Sequence, residues 1–349
     1  MIKIPLKRKS KKNETPTRIT NETVAEHREK VLAGGRKFKY PHQYVKHRLV
    51  ANALIIGVLT IALTALFGWW QLYKVQTTSD FFYRVTSVLP VPVASVDGEH
   101  VRYSDYLMRY RSQELWLQKN GQLGLSQEND KQQLDFFKRS VLDGLEKDIY
   151  AQKLARDLNI TVDSDDVQKV IDESRNTATG QISQDVYDAS TKDTLGYSPQ
   201  EYRYIIKQSL LRQKVAYTVD SKAQDVKTQL QTYLSNPKNA KKGFEVAIDQ
   251  FKEKGITLDF GASGMVSKNN RDGGLSKVAA GLKKGEISAP IESTTGDGYY
   301  FVQTVSQNDK KVSYQYIRIP LTVFEDRLAE LKKQNAIDEY ITVEKVEQK

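Results

Sequence analysis

Four histidines and no cysteine limit what chemistry this chain can perform. Without cysteine there is no disulfide, no thiolate metal site, no sulfur nucleophile and no lipid-modified N-terminal cysteine to serve as an anchor. His27, His42 and His47 precede a long apolar run and His100 follows it. If that run crosses a membrane, His100 is the only histidine on its far side, and it cannot build a histidine-rich zinc site or pair with a second histidine. Serine, aspartate and glutamate are plentiful, yet there is no Gly-x-Ser-x-Gly elbow, no His-Glu-x-x-His pair and no Gly-x-x-x-x-Gly-Lys-Ser/Thr phosphate cradle. These absences argue against hydrolase, metalloenzyme and nucleotide chemistry, and no cofactor is expected. What remains is work done by shape and hydrogen bonds. Tyr299-Tyr300-Phe301-Val302 is aromatic and β-prone, and Val312 to Ile319, VSYQYIRI, alternates as a strand should. Tyrosine hydroxyls there can donate hydrogen bonds, although the plainest reading of such residues is ordinary sheet aromatics.

The elements that must carry these residues begin with an anchor. Residues 1–48 hold 14 Lys and Arg against four Glu, while residues 49–349 hold 39 of each sign, so the whole positive excess sits on an N-terminal arm. Leu49 to Trp70, LVANALIIGVLTIALTALFGWW, is 22 residues without a charge, long enough to cross a hydrocarbon core of about 30 Å as a helix. Trp69, Trp70 and Tyr73 stand where amphipathic rings settle at a membrane interface. A buried core helix and a cleaved signal peptide are the alternatives. The first is rarely apolar all round for six turns, and Phe67-Gly68-Trp69-Trp70 is a poor cleavage site for the second. The expectation is a retained signal anchor contacting membrane lipid through residues 49–72. The cation bias places the N-terminus in the cytoplasm and residues from about Tyr73 onward outside, in a single-pass protein of the cytoplasmic membrane. Basic arms also bind nucleic acid non-specifically, but topology and anionic lipid explain this one more simply, and no specific nucleic-acid partner is expected.

Beyond the anchor, residues 73–92 read as a stalk ending in Pro90-Val91-Pro92. Val93 to Glu99 reads as a short strand and an Asp-Gly turn. Helical periodicity follows: a helix capped by Ser104, carrying Tyr106, Leu107, Tyr110 and Leu117 and ended by Gly121 and Gly124; another over 127–158; and a third after the Asn159 to Ser164 break. Residues 174–197 are polar and weakly patterned and read as a mobile loop. Ser198-Pro199-Gln200-Glu201 is a capping box with proline at the first helical position. Two amphipathic helices, over about 223–234 and 239–254, precede a glycine-punctuated, strand-rich stretch from Gly261 and a last helix holding Phe324, Leu328 and Leu331. The expected class is α+β, with one transmembrane helix, a mostly helical module over 93–220 and an α+β module with a small sheet over 221–320.

Val93 to Glu99, the helix from Ser104, Leu142-Asp143-Gly144-Leu145 through Ala155, Ile160-Thr161-Val162 and the Ser198-Pro199-x-Glu201 helix together resemble the N-terminal chaperone domain of the SurA and PrsA families of extracytoplasmic foldases. Gly281-Leu282-Lys283-Lys284-Gly285-Glu286-Ile287-Ser288-Ala289-Pro290-Ile291, followed by Gly298-Tyr299-Tyr300-Phe301-Val302, resembles the second half of their parvulin-type prolyl isomerase domain. The resemblance covers most of residues 93–345. Beyond the basic cytoplasmic arm over 1–48, the anchor over 49–72 and the stalk over 73–92 read above, it implies a chaperone domain over 93–220, a parvulin-like domain over 221–320 and a C-terminal helix over 321–349 that packs back on the chaperone domain.

Such a domain needs neither nucleophile nor metal. The barrier to amide rotation is roughly 18–20 kcal/mol, and a pocket that grips the twisted amide better than the planar one lowers it. Most parvulins place one histidine on the first strand and one on the last. Here the last-strand position matches Tyr300, and no first strand precedes the helix at 223. The run 314–319 resembles that strand in pattern, and its filling the place from the C-terminal side would put Tyr316 at the other histidine position. The resemblance thus implies a membrane-anchored folding factor that binds unfolded or newly exported polypeptides, with Tyr106, Tyr110, Trp116, Tyr202 and Phe301 as candidate substrate contacts and Tyr300 and Tyr316 as candidate catalytic residues. Whether the module is a working isomerase or a second peptide-binding surface stays open, and a structural or docking protein of an envelope assembly is the alternative. The residues do not give an oligomeric state.

Overall fold

The chain divides into two compact units, residues 1–71 and 72–349. The computed structural model describes residues 19–39, 41–124, 127–177 and 180–344; the arm before Ile19 and the end of the C-terminal segment after residue 344 lie outside the described residues. In the first unit, α1 (Asn21–Lys39) precedes α2 (Pro41–Trp70), whose end continues as a π-helical turn, Gln71–Val75. The helix over Arg48–Val75 is the one among the described residues long and apolar enough to cross a membrane, with a mean hydropathy of 2.4 in its most apolar window. Two of its polar side chains are paired within the helix: Thr60 and Thr64 donate to the carbonyls of Ile56 and Thr60, each at 2.8 Å.

The second unit opens with a departure from the expected stalk. Residues 80–88 form α3 (Asp80–Val88). Phe82 and Tyr83 pack against the main core with Leu72 and Tyr73, and the hydroxyl of the fully buried Thr86 donates to the carbonyl of Phe82 at 2.8 Å. Two prolines beyond the helix end bias the local backbone, but burial of one apolar face decides the segment. Next, β1 (Pro92–Val96) and β2 (Glu99–Arg102) form a hairpin through Asp97 and Gly98, both at positive φ, the conformation an Asp-Gly turn favours. β2 runs directly into α4 (Tyr103–Lys119), so Ser104 is buried in the first turn and makes no cap, contrary to the sequence reading.

α5 (Gln127–Asp157) and α6 (Ser164–Ser174) follow, the latter capped by Asp163, whose carboxylate accepts the Asp166 N–H at 2.8 Å. The segment expected as a mobile loop contains a small hairpin, β3 (Asn176–Thr177) and β4 (Gly180–Gln181), and then α7 (Gln184–Leu195). α7 buries Thr191 and little else, which is why its pattern is weak. The capping box forms as expected at the start of α8 (Pro199–Val219): Ser198 and Glu201 each accept the other's backbone N–H.

α9 (Ser221–Ser235) is followed by the single turn α10 (Pro237–Ala240) and by α11 (Phe244–Glu253), and the two longer helices, α9 and α11, cover one face of a four-stranded sheet. That sheet is built from β5 (Asp259–Ser267), β6 (Ile291–Glu292), β7 (Gly298–Gln307) and β8 (Lys311–Pro320), with α12 (Leu275–Gly281) on its other face. The order is β5-β8-β7-β6, all antiparallel. The chain then returns to the first core through α13 (Val323–Lys333) and β9 (Ile337–Glu339), and β9 completes the sheet β2-β1-β9. Phe324 lies 5.4 Å from the ring of Tyr150, and Leu328 and Ile341 join the same core. The class is α+β.

Candidate functional site

β7 faces two ways because strand side chains alternate. Tyr299 and Phe301 point into the core shared with α9 and α11, where Phe301 meets Leu230 and Phe244, while Tyr300 and Val302 point to the other face, with α12. On β8, Ile317 and Ile319 share the first face, and Val312, Tyr314 and Tyr316 the second. Tyr300 pairs with Arg318 in the ladder and Val302 with Tyr316, so the two candidate catalytic tyrosines are diagonal neighbours on one face. Their ring centroids are 5.4 Å apart, and Tyr314 lies 6.3 Å from Tyr316.

Among the described residues no strand lies between Gln181 and Asp259, and β8 occupies the place between β5 and β7. Tyr316 therefore reaches the sheet centre from the C-terminal side of the module. Gly261, its partner on β5, makes room: a side-chain carbon there would run into the Tyr316 ring.

Each buried hydroxyl is spoken for. Tyr300 donates to Asp297 at 2.6 Å and Tyr314 donates to Asp272 at 2.8 Å. Burial, then the hydrogen bond to its carboxylate, pushes each phenol well above its ordinary value. Both stay neutral donors over the physiological range. Asp297 also accepts Thr295 at 2.6 Å and Arg318 at 3.2 Å. Burial alone would raise its carboxyl, but the hydrogen bonds from Thr295, Tyr300 and Ser293 outweigh it and hold the group low. Arg318 in turn reaches Asp259 at 2.6 Å. Among the described residues the hydroxyl of Tyr316 has no partner, and its side chain is half-exposed. The arrangement offers aromatic walls and neutral donors, with the carboxylates of Asp297 and Asp272 taken up by Tyr300 and Tyr314.

Asp297 also borders a groove of about 750 Å³ bounded by Phe136, Arg139, Arg212, Arg318 and Phe324. Its cations are already paired: Arg212 with Asp148, Arg139 with Asp143 and Glu339, and Arg318 with Asp259 and Asp297. It is a polar-walled groove with aromatic patches and no preformed anion site.

A family model described as SurA-like N-terminal domain matches residues 44–216, and one described as PPIC-type PPIASE domain, the rotamase, matches residues 210–300. Together they run from before the apolar helix to the start of β7. The chain carries, in order, the two kinds of domain that make up SurA/PrsA-like foldases. No curated protein sequence matches it. The two matches overlap within α8, so the chain has one continuous helix as the seam between its parts. The second match stops at Tyr300, before β8, consistent with a sheet whose central strand is supplied from outside the usual segment.

The expected substrate contacts scatter. Tyr106 and Tyr110 are buried and stacked at 6.0 Å in the helical core, and Phe301 is buried on the sheet face away from Tyr300. These three candidate contacts do not face solvent: their apolar bodies pack between helices or between helix and sheet, as large aromatics do wherever a core is available. Tyr202 is half-buried, its hydroxyl 3.1 Å from that of Tyr187. Trp116 alone of the five reaches the surface, where with Phe137, Leu195, Ser112 and Gln113 it lines a mostly apolar pocket of about 320 Å³. Alternation in VSYQYIRI was signal enough to find Tyr314 beside Tyr316. Nothing in the sequence signalled that Asp297, in a turn, accepts from Tyr300.

Proposed function

We propose that the chain is a membrane-tethered extracytoplasmic folding factor that holds unfolded, newly exported polypeptides. On this reading residues 1–48 are a cytoplasmic arm, 49–72 the signal anchor, 93–220 a client-binding chaperone domain, 221–320 a parvulin-like domain and 321–349 a segment clasping the two. The observation that carries it is the apolar pocket at Trp116 inside the SurA-like domain: its size suits one or two apolar side chains of an extended client, and a tryptophan rim is what such recognition favours. The parvulin-like domain acts first as a second peptide surface, because the Tyr300 hydroxyl is already committed to Asp297.

The adjacency of Tyr300 and Tyr316 favours a second reading, slow prolyl isomerisation, in which the unpaired Tyr316 hydroxyl donates to the twisted amide while the aromatic face holds the proline ring. The two separate in one preparation of the full chain in lipid nanodiscs. Suppressed aggregation of a denatured client, weakened by Trp116→Ala, with no acceleration in a protease-coupled proline assay, supports the holding function. Acceleration abolished by Tyr316→Phe supports catalysis. Neither effect returns the protein to the docking alternative.

A further inference from the structure

α3 buries one face and leaves the other without a partner. Phe82 and Tyr83 pack inward and Thr86 is fully buried. Asp80 is held by Arg111, whose guanidinium also lies 5.3 Å from the Tyr83 ring centre, and the Tyr83 hydroxyl donates to Glu201. The helix is therefore fixed in rotation. The face it turns outward carries Phe81, 67% exposed, then Arg84, then Val88, 80% exposed, with Leu89, 55% exposed, just beyond. Arg102 donates to the Ser87 carbonyl at 2.9 Å and adds a second exposed guanidinium at the same end. Arg84 makes no ion pair among the described residues, and Asp80, the one acid of α3, is engaged by Arg111.

We propose that this face of α3 rests on the outer surface of the bilayer, as a second membrane contact besides the span. Three exposed apolar side chains around a cation are the composition of an interfacial helix: rings and branched chains enter the headgroup boundary while arginines stay with anionic headgroups. Chain length supplies the partner. Nine residues, Gln71 to Ser79, join the end of α2 to α3, and at ~3.3–3.6 Å each they keep α3 within roughly 30 Å of the span's end. An exposed apolar face so tethered meets lipid at high effective concentration. The consequence is a fixed posture for the folding factor: α3 is locked to α4 and α8 by the Arg111 and Glu201 contacts, so lipid contact at α3 orients the helical core against the membrane.

This rests on the reading of residues 49–72 as a membrane span, and the test separates the two. Because the chain has no cysteine, single-cysteine variants Leu66→Cys, Val88→Cys and Lys310→Cys can each carry an environment-sensitive fluorophore in the full chain, reconstituted in phosphatidylcholine–phosphatidylglycerol nanodiscs. The expected result is quenching by lipid-borne doxyl groups at 66 and 88 and little at 310. Adding Phe81→Ser and Arg84→Glu, both at exposed positions, should cut the quenching at 88 by about half or more. Quenching at 66 without quenching at 88 overturns the α3 contact and leaves the span intact. No quenching at 66 overturns both. A label at 88 that ignores lipid and shifts to the blue on adding unfolded client overturns the proposal in favour of a client surface.

Discussion

Asp220 accepts the backbone N–H of Thr322 at 2.8 Å, joining two places in the chain a hundred residues apart. The same carboxylate oxygen accepts Val323 N–H at 3.1 Å, and the other oxygen caps α9 through Ala223 N–H at 2.9 Å. One buried side chain thus satisfies orphan amides of two helices, at the point where the chain enters the sheet from α8 and where it leaves through α13. Asp220→Ala should cost about 2–4 kcal/mol, the sum expected for a lost cap and for unpaired buried amides. Urea unfolding of the full chain measures it, and Asp220→Asn should recover part of the loss, since its amide oxygen can still cap one helix.

Gly261 and Tyr316 are coupled by volume. Gly261→Ala should destabilise by about 1–3 kcal/mol because the methyl group meets the tyrosine ring. In a Tyr316→Ala background the same change should cost close to nothing. A double-mutant cycle reads this directly, and additive costs would mean the ring does not occupy the space above Gly261.

Asp297 is held low by its donors, so its contribution to stability is present above the unfolded carboxylate value, near 4, and is lost as pH falls through the lower folded value. Asp297→Asn should therefore be less stable than wild type at pH 7 by about 1 kcal/mol, reduced by solvent screening of a half-buried group, and the gap should close in acid. Melting temperature against pH for both proteins tests it.

Glu146 runs the other way. It is fully buried on α5, 3.2 Å from Lys332 and 3.5 Å from Arg139, and burial raises its carboxyl despite Lys332. A raised value means that its contribution is fully present below the unfolded value and is lost as pH rises. Glu146→Gln should accordingly match or exceed wild-type stability at pH 7 and lose that advantage toward pH 4. Lys332→Ala should cost about 1–3 kcal/mol at pH 7, since it strips a buried carboxylate of one of its two cations.

Trp116→Ala should weaken binding of an unfolded apolar client by roughly ten-fold while leaving the melting temperature within a few degrees, as for a rim tryptophan that is not part of the core. Tyr106→Ala, by contrast, should unfold the helical core, at a cost of about 3–5 kcal/mol. Isothermal titration with a soluble apolar peptide, run beside thermal melts, distinguishes a contact residue from a core residue.

What the sequence determined by itself was local. The uncharged run to Trp70, the Ser198–Glu201 capping box, the Asp97-Gly98 turn and the 3.6-residue stripes of α5 and α8 each depend on neighbours a few residues away, and they formed an apolar helix, a cap, a turn and two amphipathic helices. Where the energy comes from distant chain, the pattern was silent or misleading. α3 is a helix because its inner face meets a core built from residues up to Ile341. Tyr106, Tyr110 and Phe301 are interior because helices and sheet close over them. β8 became an inner strand because β5 and β7 pair with its two edges while α9 and α11 cover one of its faces and α12 the other. Tyr300 and Tyr316, readable as two sheet aromatics, became neighbours only through that pairing, and Asp297, a turn residue, reaches the Tyr300 hydroxyl through a register that a linear sequence does not encode locally.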